Sequence, residues 1–314
     1  MTNPFHIQYH PVFERGVFEK HPALFDRFLQ RTPEHLKKEY QKARETIHKC
    51  EGTITWPLII GPGFCGATHP GADNIFLSNM IGPDSYIYNS DCLYVNPAQK
   101  VFALSDAPGI TTFSRRLFSE LDNHLKSSSV YELETIINKL NNKTGVNDGA
   151  TISLIGFPGN KSDNRPAEAL AFIAGDSYLF HGNIFQRSLI PIAGHAEFIG
   201  TPDIHLEPKR IELAEGDFFI IATDGILSLR VNSDKTSLEE ILLEHVKDDI
   251  DNFAFSVINS CNRSSEEKIY DRVITRFGGS DNVSALLVYP QELTDITCPE
   301  SSILGGYITT KAQY

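Results

Sequence analysis

Three aspartates, Asp106, Asp224 and Asp281, stand beside short apolar runs: Asp106 follows residues 101–105, Asp224 follows 218–223, and Asp281 precedes 283–289. Each marks a strand end next to a turn signalled by Gly, Pro or Asn. Carboxylates at strand ends can converge at one edge of a sheet, and an all-oxygen set without neighbouring His or Cys suits hard divalent cations such as Mg²⁺ or Mn²⁺. The chemistry of such a set is activation of water and neutralisation of negative charge. Taken singly, an Asp beside Gly or Asn also serves as a turn residue that bonds its own backbone. The repetition of an apolar run with an adjacent Asp, in the order SDAPG, AGDS, ATDG and GGSDNVS, points to a shared centre.

The elements that must position these residues are written in the hydrophobic periodicity. Helical spacing follows Asp106 through Phe113, Leu117, Leu121 and Leu125, and again through Leu133, Ile136, Ile137 and Leu140. Strand character returns at 149–155, at 169–174 and at 178–180 before a His181-Gly182-Asn183 turn. The strand at 218–223 is introduced by Glu215-Gly216-Asp217, and helical spacing reappears at Leu238, Ile241, Leu242 and Val246 and at Phe253, Val257 and Ile258. Strands and helices grouped in blocks favour an antiparallel α+β architecture with helices packed outside two sheets. At the N-terminus, Thr32 as N-cap and Pro33 at the first helical position precede Leu36, Tyr40, Ala43 and Ile47 on one face, which predicts one amphipathic helix.

Composition narrows the classes. The 314 residues carry a formal net charge of −12, with 41% hydrophobic and 22% charged residues. That balance is globular, and it argues against nucleic acid or an anionic membrane as the main partner, since both are held by Lys and Arg. No apolar stretch reaches the length of a membrane span, so no membrane insertion is expected. The five cysteines, Cys50, Cys65, Cys92, Cys261 and Cys298, show no CxxC or zinc-type spacing and are expected to be reduced. The first residues lack a secretory signal, so a cytoplasmic location is expected, with secretion by a non-Sec route left open.

Over roughly 66–289 the sequence resembles the metal-dependent protein phosphatases, the type 2C Ser/Thr family. Residues 216–225 resemble that family's GD-strand-SDG element, Asp281-Asn282-Val283-Ser284 its late DNVT element, and Gly175-Asp176-Ser177 its central GDS motif, with Thr151 in the preceding small-residue segment. The resemblance implies an α+β fold: a sandwich of two antiparallel β-sheets flanked by helices, spanning 53–290, between an N-terminal helical extension (1–52) and a C-terminal tail (291–314) expected to be peripheral. It implies a centre of two Mn²⁺ or Mg²⁺ ions, with a third in some members. Asp106 would bridge the two, Asp224 and Asp281 would hold one, the Ala107 carbonyl the other, and Asp176 a further weak site. Two cations roughly 4 Å apart activate a water and clamp the oxygens of an in-line displacement.

Several positions depart from the family pattern. The early motif, an Arg a few residues before Asn-Glu-Asp, is matched at Thr68-His69-Pro70-Gly71-Ala72-Asp73, so that Asp73 keeps the metal-site carboxylate while Thr68 stands where a phosphate-gripping Arg is expected. The second motif reads Asp106-Ala107-Pro108-Gly109-Ile110, with Pro108 where some members carry a His proposed as general acid. His69 is then a candidate proton donor or a structural histidine, and Arg115 and Arg116 are candidate phosphate contacts or solvated side chains. Asn282 is a candidate substrate neighbour. The expected function is hydrolysis of phosphoserine or phosphothreonine on a protein substrate by a monomeric enzyme. The alternative is a pseudophosphatase that keeps the fold and binds protein.

Overall fold

The structure, a computed structural model, describes residues 5–11, 55–71, 86–108, 111–143, 149–158, 166–201, 205–232, 237–248, 251–262, 265–269, 272–276, 281–293 and 301–310. The apolar runs of the sequence form two antiparallel sheets. In spatial order, one contains β1 (His6–Pro11), β2 (Thr55–Gly61), β3 (Phe64–His69), β14 (Val283–Val288), β11 (Asp217–Ala222), β8 (Tyr178–Asn183) and β9 (Ser188–Pro191). The other contains β10 (Lys209–Glu212), β7 (Glu168–Ala174), β6 (Ile152–Gly156), β5 (Val101–Ser105), β4 (Tyr86–Asn96) and β15 (Ser302–Thr310). A separate hairpin pairs β12 (Ser265–Ile269) with β13 (Arg272–Arg276).

Side-chain parity explains why the central strands are apolar on both faces. In β5, Phe102 and Leu104 join Phe219 and Ile221 of β11 and Leu286 and Val288 of β14 in the core between the sheets. The alternate residues, Val101 and Ala103, pack under α1 (Phe113–Leu125) and α2 (Leu133–Lys143). On the other side, Phe218 and Ile220 of β11 and Ala285 and Leu287 of β14 pack under α3 (Leu238–Asp248) and α4 (Phe253–Cys261). The result is four layers, helix–sheet–sheet–helix, in agreement with the α+β sandwich expected from the sequence. Phe102 ties the middle layer together, its ring centroid 5.4 Å from Phe64 and 6.2 Å from Phe157. Phe102→Ala should therefore destabilise the protein by about 3–5 kcal/mol through a cavity that the surrounding packed rings cannot fill. In urea unfolding the midpoint should fall with the slope unchanged.

Three details differ from the sequence reading. The turn expected at 181–183 lies at 184–187, because Asn183 stays in β8 and its Oδ1 accepts from Phe185 N at 3.0 Å and Gln186 N at 3.1 Å. Part of the expected helical extension, His6–Pro11, is an edge strand paired with β2. Within the expected tail, Ser302–Thr310 is the edge strand beside β4. The helix expected after Thr32 falls outside the described residues. Among the described residues Cys65, Cys92 and Cys261 are buried thiols outside any disulfide.

Candidate metal centre

Each key carboxylate is set by a tie between strands. Asp106 leaves β5 with its N–H donated to Thr151 Oγ1 at 2.9 Å, while Thr151 N donates to the Asp106 carbonyl at 2.7 Å. Thr151 Oγ1 in turn lies 2.5 Å from Ser177 Oγ, which links this corner to the Gly175-Asp176-Ser177 turn. Across the sandwich, Thr223 N donates to Ser284 O at 3.1 Å and Ser284 N donates to Thr223 Oγ1 at 3.0 Å. This locks the end of β11, and hence Asp224, to the start of β14. The glycine after Asp224 is required by packing: a Cβ on Gly225 would stand 2.0 Å from Asn282 O.

Asn282 is the hub of the centre. Its Nδ2 donates to Pro70 O at 2.7 Å, and its Oδ1 accepts from Ser90 N at 2.9 Å and Ser90 Oγ at 2.5 Å. Its own N–H donates to Asp281 Oδ1 at 2.8 Å. Expected as a substrate neighbour, Asn282 is 1% exposed, and its amide ties the two sheets together beside Asp281.

A further carboxylate, Asp91, completes the cluster. It sits within β4, fully buried, and accepts from Thr223 Oγ1 at 2.7 Å. Asp73 and Ala72 lie outside the described residues. Asp91 was not among the residues singled out from the sequence. The signal was present in the sequence, since Asp91 adjoins an apolar run at 92–95 just as the other aspartates do.

The cluster is electrostatically strained. Burial first, and then the charges of Asp224 and Asp281, push the Asp106 carboxyl up to about 7, against a bond from Asp91. Burial, followed by the neighbouring Asp106, holds Asp91 well above the usual carboxylate range, although Thr223 donates to it. Burial and the charges of Asp281 and Asp176 also raise Asp224. Among the described residues, none of the ion pairs involves these aspartates. Asp91 Oδ1 and Asp224 Oδ1 are buried without a donor. Unpaired buried carboxylate oxygens are costly, and a hard divalent cation is the partner that satisfies several at once. The residues therefore fit Mg²⁺ or Mn²⁺. Among the described residues no group of three His, Cys, Asp or Glu side chains is already drawn up as a ligand set. Binding would have to tighten the cluster.

Other expected site residues are used differently. Thr68 is fully buried, accepting from Asn89 Nδ2 at 2.8 Å and Ser284 Oγ at 2.7 Å. His69 is 2% exposed, with its ring 5.9 Å from Trp56 and Nδ1 accepting from Gly71 N at 2.9 Å. It braces the turn that carries Pro70. Arg115 Nη1 donates to Gly305 O at 2.9 Å and Ile303 O at 3.2 Å, and Arg116 lies over the Phe113 ring at 5.7 Å. Ala107 is buried next to Asp106 under α1, and Asp176 is exposed on its turn.

No protein-family model and no curated protein sequence matches the chain. Solved structures do match by fold. PppA, described as a key regulatory component of T6SS in Pseudomonas aeruginosa, aligns with TM-score 0.50 at 18% identity, covering 72% of this chain and 96% of its own. A bacterial serine phosphatase, solved as an arginine-to-alanine variant, aligns with TM-score 0.51 at 13% identity, covering 73% of this chain and 98% of its own. The catalytic domain of the serine/threonine phosphatase PstP, in complex with two manganese ions, aligns with TM-score 0.49 at 14% identity, covering 77% and 97%. The chain thus has the fold of the metal-dependent, type 2C protein phosphatases.

Proposed function

We propose that this protein is a Mn²⁺- or Mg²⁺-dependent phosphatase acting on phosphoserine or phosphothreonine in proteins. The observation that carries the reading is the convergence of Asp91, Asp106, Asp224 and Asp281 from both sheets into one unneutralised cluster with two donorless buried oxygens. Asp106, Asp224 and Asp281, with the Ala107 carbonyl, would hold the ions, and Asp176 would serve a weaker third. Bound there, the ions would supply an activated water and neutralise phosphoryl charge.

The protein's own residues hold this arrangement. Thr151 fixes the Asp106 backbone, Thr223 fixes Asp91, and Asn282 fixes Asp281 relative to Ser90. With Pro108 in the second motif and His69 packed on Trp56, the leaving-group proton is taken from water. The net charge of −12 disfavours nucleic acid, so a phosphoprotein is the proposed partner, met by a monomer in the cytoplasm. Among the described residues no helix is long and apolar enough to cross a membrane.

Hydrolysis of an aryl phosphate by the protein with Mn²⁺ or Mg²⁺ tests the reading. Asp224→Asn should lower the rate at least about a hundredfold, about 2.7 kcal/mol of barrier. No turnover in the parent, or metal-dependent turnover untouched by the substitution, removes the catalytic assignment.

A second reading, a protein-binding pseudophosphatase, draws on Thr68. At the place where the phosphate-gripping Arg was expected, this side chain is buried and bonded inside the sandwich. Mn²⁺ binding without turnover would select it.

A further inference from the structure

Three consecutive residues of β4, Asn89, Ser90 and Asp91, all bond to groups of the seven-stranded sheet: Thr68, Asn282 and Thr223 respectively. A regular pleat forbids this, because successive side chains point to opposite faces. Further along β4 the alternation is normal, with Leu93 and Val95 in the core between the sheets and Cys92 and Tyr94 under α1. An irregularity must therefore lie at Ser90–Asp91.

It does, and its cause is the C-terminal strand. Cys92 pairs with Gly305 and Asn89 with Tyr307, so Ser90 and Asp91 together face Gly306 alone. Two residues opposite one is a β-bulge, a device that re-aims side chains. Pairing of β4 with β5 begins at Cys92↔Ser105, so β15 is the ladder partner of 86–89.

Both glycines of β15 are shaped for this contact. Gly305 has φ +78 and Gly306 φ +60. A Cβ on Gly305 would stand 2.2 Å from Asp91 O, and one on Gly306 would stand 2.7 Å from Arg115 Cβ and 3.0 Å from Cys92 Sγ. Such φ values and such proximity suit glycine alone. The strand is held from α1, where Arg115 Nη1 donates to the carbonyls of Ile303 and Gly305 and Asp122 accepts from the Ser301 side chain.

We propose that Arg115, Gly305 and Gly306 are positioning residues for the carboxylate centre. Arg115 holds β15 in place, and the Gly305–Gly306 backbone holds the β4 bulge that turns Ser90 and Asp91 inward together. This rests on the reading that Asp91 belongs to the cation-binding cluster.

The test is calorimetric titration of the full-length protein with MnCl₂, together with hydrogen exchange at the Ser90 amide, which donates to Asn282 Oδ1. Gly305→Ala should weaken Mn²⁺ binding about 10–100-fold and Arg115→Met about tenfold, as for lost outer supports of metal ligands. Arg115→Lys, which keeps a donor, should lose less than Arg115→Met, and Arg210→Met, whose partner is the distant Glu168, should behave as the parent. The Ser90 amide should exchange faster in Arg115→Met. If Gly305→Ala does not fold, the Arg115 series decides. The inference is overturned if folded Arg115→Met binds Mn²⁺ as the parent does and keeps Ser90 protected. If the parent itself binds no Mn²⁺, the proposed function falls, and protection of Ser90 alone decides the role of Arg115.

Discussion

Asp106→Asn is expected to abolish saturable Mn²⁺ binding and to lower metal-dependent phosphatase turnover by at least about a thousandfold, about 4 kcal/mol of barrier. It should at the same time raise the thermal midpoint of the metal-free protein at pH 8. The two effects have one origin. Burial first, then the charges of Asp224, Asp281 and Asp176, push the Asp106 carboxyl up to about 7, against a bond from Asp91. An ionised Asp106 is therefore a liability in the metal-free fold and becomes favourable only against cations. A neutral amide of the same shape removes the repulsion, which is worth on the order of 1–3 kcal/mol at pH 8. Titration calorimetry reads the first effect and differential scanning calorimetry the second. A variant that binds Mn²⁺ as tightly as the parent, or that melts lower without metal, contradicts the assignment of Asp106 to the centre.

The second large effect is the dependence of stability on pH with and without metal. In the folded protein Asp106 titrates near 7, against 3.8 for an unperturbed aspartate, and Asp91 and Asp224 are raised as well. Between these limits the folded state binds more protons than the unfolded state, so stability falls as pH rises. The favourable contribution of the protonated cluster is fully present below about 3.8 and is lost as pH passes through about 7. For Asp106 alone the ceiling is roughly 4 kcal/mol, shared in practice among coupled carboxyls. The metal-free protein should thus unfold at a lower temperature at pH 8 than at pH 5.5. Millimolar Mn²⁺ should raise the midpoint more at pH 8 than at pH 5.5, because protons and cations compete for the same oxygens. Equal shifts at both pH values would show that these carboxylates do not form the binding site.

How much of this was legible depends on how local each cause is. Strands 101–105 and 218–222 and the helix at 113–125 were readable because periodicity and turn residues are written within a few positions. The positions of Asp106, Asp224 and Asp281 beside these strands were readable for the same reason, since each sits where an apolar run meets a turn. Asp91 carries a similar mark, but it lies inside a strand instead of at its end. Arg115, read as a phosphate contact because it starts the helix after Asp106, instead holds carbonyls 188 and 190 residues away. Thr68 was judged by its place in a motif, while its partners are Asn89 and Ser284, the latter 216 residues distant.

By itself, then, the sequence determined the α+β architecture and the place of aspartates beside its strands, because these follow from short-range periodicity and residue chemistry. Only the tertiary structure decided which carboxylates share one desolvated space, which are left without donors, and which chain end braces them. Those properties arise from contacts between β4, β14, β11 and β15, whose pairing depends on packing across the whole chain.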